Sequence, residues 1–229
     1  MENGTLGVHV HEDPGADGPA EGRRARNKRE KLERIVAAST ALFRDQGFDA
    51  TTARQICAEA GIATGTLFLY VRDKRELLFL IFRPLAEGVF RRVPEGLREG
   101  DATVDGLVRL FGALFRVYAR DVELSRLFVQ ELLFRNDPID GMRALNTRLS
   151  ERVFSIVMDG QDRGELRSDL SCEELGRSAA AHYVFWLQLW LGTDAVPRAA
   201  AERGLRRALE LQIEGIGRTR PSDAGRKQG

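Results

Sequence analysis

Between Thr51 and Leu78 the chain gathers the residues best suited to chemistry, and that chemistry is recognition rather than bond making. Thr64, Gly65 and Thr66 place two hydroxyls around a residue with no side chain, at the start of a short segment reaching Tyr70. Hydroxyls and open backbone N–H groups there can meet base edges or phosphate oxygens. Phe68 and Leu69 add apolar surface of the kind that contacts a thymine methyl. No nucleophile stands with a base and an orienting group, and no glycine loop cradles a phosphate. Cys57 and Cys172 lie far apart without a CxxC, His182 is isolated, and His9 and His11 have no further ligand near them. The sequence therefore implies no catalytic residue, no metal site, no disulfide framework and no cofactor. Its free thiols fit a reducing cytoplasm.

Positioning such residues takes helices, and helical spacing runs through almost the whole chain. Leu32, Ile35, Val36, Ser39, Leu42 and Phe43 recur at the interval of one buried face, and Gly47 closes that first helix. Thr52 with Gln55 three residues on predicts a capping box opening a second helix, Ala53 to Ala60. Gly61 can take the left-handed conformation that turns the chain, and Ala63 or Thr64 begins a third helix to about Tyr70. Two short helices about a glycine turn, resting on a longer one, form the unit that lays a recognition helix in the major groove. Ala58, Ala60, Gly61 and Ala63 are small enough for a close crossing, and Ile56, Ile62 and Leu67 with Leu42, Phe43 and Phe48 supply a core.

Asp73 and Glu76 predict a second capping box and a fourth helix carrying Leu77, Leu78, Ile81 and Leu85, which Pro84 should kink or end. Longer helices follow at 103–119, 122–135, 139–162, 172–191 and 198–216, punctuated by the turn Asn136-Asp137-Pro138 and the cap Ser171 with Glu174. Nothing reads as a strand, so the expected fold class is all-α. The longest uninterrupted apolar run near a helix, Leu77 to Phe82, falls far short of the roughly 20 residues of a membrane span.

Charge divides the chain further. Residues 1–22 carry five acids and no Lys or Arg, whereas residues 23–83 hold thirteen basic and seven acidic residues, and the rest nets zero. A basic segment beside a neutral body is the expected footprint of one end meeting a polyanion. The run from Arg23 to Arg29 fits either an arm reaching DNA or a solvated charge run. Gly, Pro and acid at 1–22, and Gly and polar residues at 217–229, read as mobile ends. The expected domains are thus an acidic arm at 1–22, a helix-turn-helix reader at 23–72, a helical body at 73–216 and a tail at 217–229.

The continuous run from Thr51 to Leu78, with Ala41-Leu42-Phe43 and Gly47-Phe48 before it, closely resembles the DNA-binding region of the TetR (tetracycline-repressor-like) family, over about residues 27–80. The resemblance implies a three-helix helix-turn-helix domain followed by a helical ligand-binding and dimerisation domain. It implies that Thr52 and Arg54 touch backbone or base from the second helix, that Thr64, Gly65 and Thr66 enter the groove, and that Tyr70 and Lys74 grip phosphates. Phe68 stands where the family usually has Tyr, and Val71 where it usually has Phe. A cation opening a helix is otherwise poorly placed, and a bound phosphate would explain Lys74.

The same resemblance implies a sequence-specific transcriptional regulator, either a ligand-responsive repressor whose DNA affinity falls on binding a small hydrophobic molecule or, alternatively, a DNA-binding regulator controlled by a protein partner or by no effector. It acts as a homodimer on a palindromic double-stranded operator, with no membrane. The last two helices would pair with their copies through Tyr183, Leu187, Trp190, Leu205 and Leu209. The middle helices would surround an effector with Phe111, Phe115, Tyr118, Phe128, Phe154, Met158 and Trp186, although core packing is the ordinary fate of such side chains. Glu131 and His182 fit polar anchors there, and fit solvent or a partner helix equally. Effector binding would shift the Lys74 to Arg83 helix, with Pro84 as pivot.

Overall fold

The computed structural model describes residues 19–134 and 140–215. His9, His11, the Asn136-Asp137-Pro138 turn and the 217–229 tail lie outside the described residues. Among the described residues there are nine α-helices and no strand. They are α1 (Pro19–Gln46), α2 (Ala53–Glu59), α3 (Thr64–Leu67), α4 (Lys74–Arg92), α5 (Thr103–Tyr118), α6 (Val122–Phe134), α7 (Asp140–Asp162), α8 (Cys172–Gly192) and α9 (Arg198–Glu214). The chain divides into two compact units between Tyr70 and Val71.

In the N-terminal unit α1 packs on α2, and α2 on α3. Ile35, Ala38 and Phe43 of α1 are buried with Ile56, Cys57, Ala60 and Leu67, and the Phe43 and Phe48 rings meet at 5.0 Å. Ser39, the polar residue on that inward face, is fully buried and donates to the Ile35 carbonyl at 2.7 Å, so no orphaned hydroxyl enters the core. Helix α1 starts earlier than expected. It begins at Pro19, a residue whose fixed φ and missing N–H suit a first helical position, inside the stretch read as an arm. The Arg23 to Arg29 run is therefore helical rather than an extended arm, and within it Arg26 and Arg29 form exposed i,i+4 pairs with Glu30 and Glu33.

In the C-terminal unit α5 is the central helix, touching α4, α7, α8 and α9. Distant side chains cap the start of α5 and the end of α4. Ala102 gives α5 no side-chain cap, and the Glu165 carboxylate takes its place, accepting from the Thr103 N–H at 2.7 Å and the Thr103 hydroxyl at 2.9 Å. Arg152 of α7 donates to the Phe90 and Val93 carbonyls at 2.5 and 3.1 Å and so caps the end of α4. Helix α4 continues past Pro84, so of the two outcomes expected there, a kink or an end, it does not end. At its start Asp73 accepts from the Arg75 and Glu76 N–H groups, and the Glu76 carboxylate accepts from the N–H of Arg72. The Ser171 and Glu174 box at α8 is complete. No helix among the described residues is long and apolar enough to cross a membrane.

Candidate functional site

The reader is built from local bonds. Thr52 accepts from the Gln55 N–H at 3.3 Å while Gln55 Oε1 accepts from the Thr52 N–H at 2.8 Å, which closes the box that opens α2. Gln55 donates onward to Gln46 Oε1, and Gln46 to the Thr51 hydroxyl, each at 3.1 Å. That amide chain joins the end of α1 to the start of α2. At the other end of α2, Gly61 has φ +63°. The Gly61 N–H donates to the Ala58 carbonyl and the Ile62 N–H to the Cys57 carbonyl, at 3.2 and 2.9 Å, the paired bonds of a Schellman turn. An L side chain is disfavoured at such a φ, and glycine removes that cost.

This turn presents α3. Thr64 and Gly65 are exposed, Thr66 and Tyr70 are half-buried, and Leu67 alone of the short helix is buried. Ala63 supplies no side-chain cap, so the first N–H groups of α3 are not claimed by one. Phe68 and Leu69 are 56% and 79% exposed, a large apolar surface for two adjacent residues in a loop end. A Cβ on Gly65 would meet nothing within 4 Å, so packing does not require glycine there. The third helix is shorter than expected, ending at Leu67 with Phe68 to Tyr70 in turns. Ala58 is exposed and takes no part in the crossing. Thr52 and Arg54 are exposed, and Lys74 opens α4 in the C-terminal unit.

The residues expected around an effector do not share a cavity. Phe111 stacks on Tyr183 at 4.5 Å, Phe115 on Trp190 at 5.2 Å and Phe128 on Phe82 at 4.6 Å, all essentially without solvent exposure at the three phenylalanines. Tyr118 is buried with them, and its hydroxyl is hydrogen-bonded to that of Tyr183. Burial raises the pKa of Tyr118, and burial with the neighbouring Tyr118 raises that of Tyr183 well above the ordinary value. The Phe154 ring lies over Gly176 and the Trp186 ring over Gly204, each where a Cβ would stand under 3 Å away. Met158 is 54% exposed, His182 is half-buried, and Glu131 pairs with Arg75 at 3.4 Å. These side chains fill the core or face outward because α5 packs against α4, α7, α8 and α9, and that assembly decides what each one meets.

The residues expected at a dimer interface, Tyr183, Leu187, Trp190, Leu205 and Leu209, are all buried within one chain. The outer surface of α8 and α9 is formed instead by Phe185, which is 56% exposed, with half-buried Trp186, Leu189, Gly204, Ala208 and Leu211. The signal in the sequence was Phe185 itself, an aromatic out of phase with the Tyr183 and Leu187 stripe.

Two openings occur in the C-terminal unit. One, of about 260 Å³, is lined by Leu107, Val157, Leu166, Leu175, Leu209 and Ile213, with Glu165, Arg167 and Gln212 as polar neighbours. Gln212 Oε1 is buried there without a hydrogen-bond partner among the described residues. The other, of about 420 Å³, lies along α4 and α5. No group of His, Cys, Asp and Glu that could hold a metal occurs among the described residues. Burial pushes the Cys57 and Cys172 thiols up, toward the neutral and unreactive form.

Comparison with known proteins agrees over both units. Residues 35–81 match the family model of bacterial regulatory proteins of the tetR family, and residues 104–188 match that of the tetracyclin repressor-like C-terminal domain. Thermus thermophilus FadR, a TetR-family transcriptional repressor solved in complex with lauroyl-CoA, is 31% identical, with a TM-score of 0.67 over 83% of this chain and 98% of that one. The fatty acid metabolism regulator protein of Bacillus subtilis (strain 168) is 24% identical over 148 residues, which is 63% of this chain and 75% of that protein. FadR from Bacillus subtilis, solved with stearoyl-CoA, shares the fold at 20% identity and a TM-score of 0.64, over 81% of this chain and 100% of that one. The chain thus belongs to the TetR family: it is a transcriptional regulator, not an enzyme, with an operator-binding helix-turn-helix domain, a helical ligand-binding domain and a homodimeric assembly.

Proposed function

We propose that this regulator is a repressor released from its operator by a long-chain fatty acyl-CoA. The observation that carries this reading is the 31% identity, across 98% of its length, to a repressor solved with lauroyl-CoA. An acyl-CoA joins an apolar chain to a polyanionic head, and a ligand that binds one conformer better than another shifts the population toward it.

In this proposal α3 enters the major groove, with Thr64, Gly65 and Thr66 at base edges and Phe68 and Leu69 beside thymine methyls. Thr52, Arg54, Tyr70 and Lys74 hold phosphates, which fix register without reading sequence. Support comes from the exposure of the α3 face and from a glycine at position 65 that packing does not demand. Residues 23–72 act as the reader, residues 73–216 as the sensing and dimerising body, and the site of action is the cytoplasm. The outer face of α8 and α9, centred on Phe185 and Trp186, is the surface offered to the second copy.

A gel-shift assay on the DNA beside the protein's own gene tests the reading. Lauroyl-CoA should weaken a sequence-specific complex by tenfold or more, a differential affinity of about 1.4 kcal/mol. Specific binding indifferent to a series of acyl-CoA chain lengths would remove the effector and leave the regulator.

A further inference from the structure

The 420 Å³ cleft of the C-terminal unit is cationic to an unusual degree. Five arginines line it: Arg92 at the end of α4, Arg98 in the following loop, Arg109 and Arg116 on α5, and Arg120 just past its end. Between them lies an apolar floor that includes Val89, Ala113 and Val117. No carboxylate is among the lining residues. Asp101 answers from close by, pairing with Arg109 and acting on Arg98 through charge. Desolvation opposes ionisation of Asp101, yet hydrogen bonds from Arg109 and the Arg98 N–H hold its pKa below the ordinary value.

Two of these arginines share one face of a helix that is otherwise core. From Leu110 to Tyr118 every residue of α5 is buried except Arg116. Arg109 and Arg116 stand seven residues apart, the spacing of a single helical stripe, and Arg120 follows in the turn after the helix. The helix dipole favours Arg92 and Arg116, which lie in last turns, but it accounts for neither Arg98 in its loop nor Arg109 in mid-helix. Bare backbone gives two of the side chains room to lie back from the floor. Arg92 Nε donates to the Gly88 carbonyl at 2.9 Å, and a Cβ on Gly88 would stand 2.9 Å from Arg92 Nη2. On Gly112 a Cβ would stand 3.5 Å from Arg116 Nη1.

An open floor of valine and alanine beneath a rim of guanidinium groups matches a planar or apolar moiety that carries several phosphates, because guanidinium forks bind phosphate oxygens bidentately. We propose that this cleft holds the nucleotide head of an acyl-CoA, with Arg116 and Arg120 on its phosphates. The proposal rests on the acyl-CoA reading given above, and the shared chemistry, a phosphorylated adenine nucleotide with a diphosphate, belongs equally to free CoA.

Isothermal titration calorimetry of the full-length protein with lauroyl-CoA, free CoA and laurate separates these. The Arg116→Ala/Arg120→Ala variant should bind lauroyl-CoA and free CoA about 100-fold more weakly, since it loses two charged contacts. Arg116→Lys/Arg120→Lys should recover part of the loss, and laurate, which lacks the nucleotide, should be indifferent to either change. Unliganded melting temperatures should stay within about 2 °C of the parent, because the substituted side chains are exposed. Unaltered lauroyl-CoA affinity in the alanine variant overturns the proposal. Should the parent bind free CoA through these arginines but show no preference for the acylated form, the effector reading fails and the cleft stands. If it binds neither CoA species, both fall.

Discussion

In the N-terminal unit the outward-facing residues proposed to read DNA contribute little to holding the fold, whereas in the C-terminal unit the aromatics expected at a ligand are the fold's own interior. Thr64, Gly65, Phe68 and Leu69 stand clear of the reader's core of Ile35, Phe43, Ile56 and Leu67. Phe111, Phe115 and Phe128 are locked in stacks with Tyr183, Trp190 and Phe82. The difference teaches that recognition and stability are separable in one unit and entangled in the other. Substitutions should therefore divide cleanly between stability and affinity in the reader, and fail to do so in the body.

The largest effect tests the entangled side. Phe111→Ala should lose about 3–5 kcal/mol of stability, the cost of emptying a fully buried aromatic site, measured by urea unfolding. A loss under about 1 kcal/mol would mean that Phe111 faces an adaptable space instead, and would return it to the effector. Next, Thr64→Ala with Thr66→Ala should weaken operator binding by about 1–3 kcal/mol in a fluorescence titration while leaving the unfolding midpoint alone. A matching fall in stability would show that the reading face is also structural.

Thr52→Ala should cost about 1 kcal/mol of stability, since it removes half of the box that opens α2. Gly65→Ala should act in opposite directions, stabilising the chain by about 0.5–1 kcal/mol through helix propensity while weakening operator binding. An effect on neither would leave Gly65 without a role. The last effect appears only in alkali. Burial raises the pKa of Tyr118 and of Tyr183, so the stabilisation is complete below about pH 10, and as pH rises further the unfolded chain ionises first and stability falls. Denaturation midpoints across that range should fall more gently in Tyr118→Phe.

How much of this was legible in the sequence follows from the range of the forces involved. The reader's determinants lie within a few residues of one another: Thr52 meets Gln55, and Gly61 and Ile62 return bonds to Ala58 and Cys57. Spacing alone exposes such pairs. The five long helices of the body were also legible to within a few residues, because caps such as Ser171 with Glu174 are local too. Which side chains meet across α5 and α8 was not, since the partners of Phe111 and Phe115 are more than 60 residues away on α8. Helix α5 carries one polar stripe through Asp105, Arg109 and Arg116, so its period gives the inward side but not the partners met there. Pro84 fails to end α4 for a related reason: tertiary packing around Phe79, Phe82 and Ala86 carries α4 past a residue that would end an isolated helix.

The paired bonds that close the Gly61 turn run between main-chain atoms, and the Cys57 thiol that spans it donates to the main-chain carbonyl of Thr64. Side chains on α3 are consequently free to vary without loosening the hinge that aims them, provided Leu67 stays buried and Gly61 stays glycine. A reading head built this way can be rewritten by gene duplication or by an engineer, one hydroxyl or methyl at a time, while the same sensor continues to drive it.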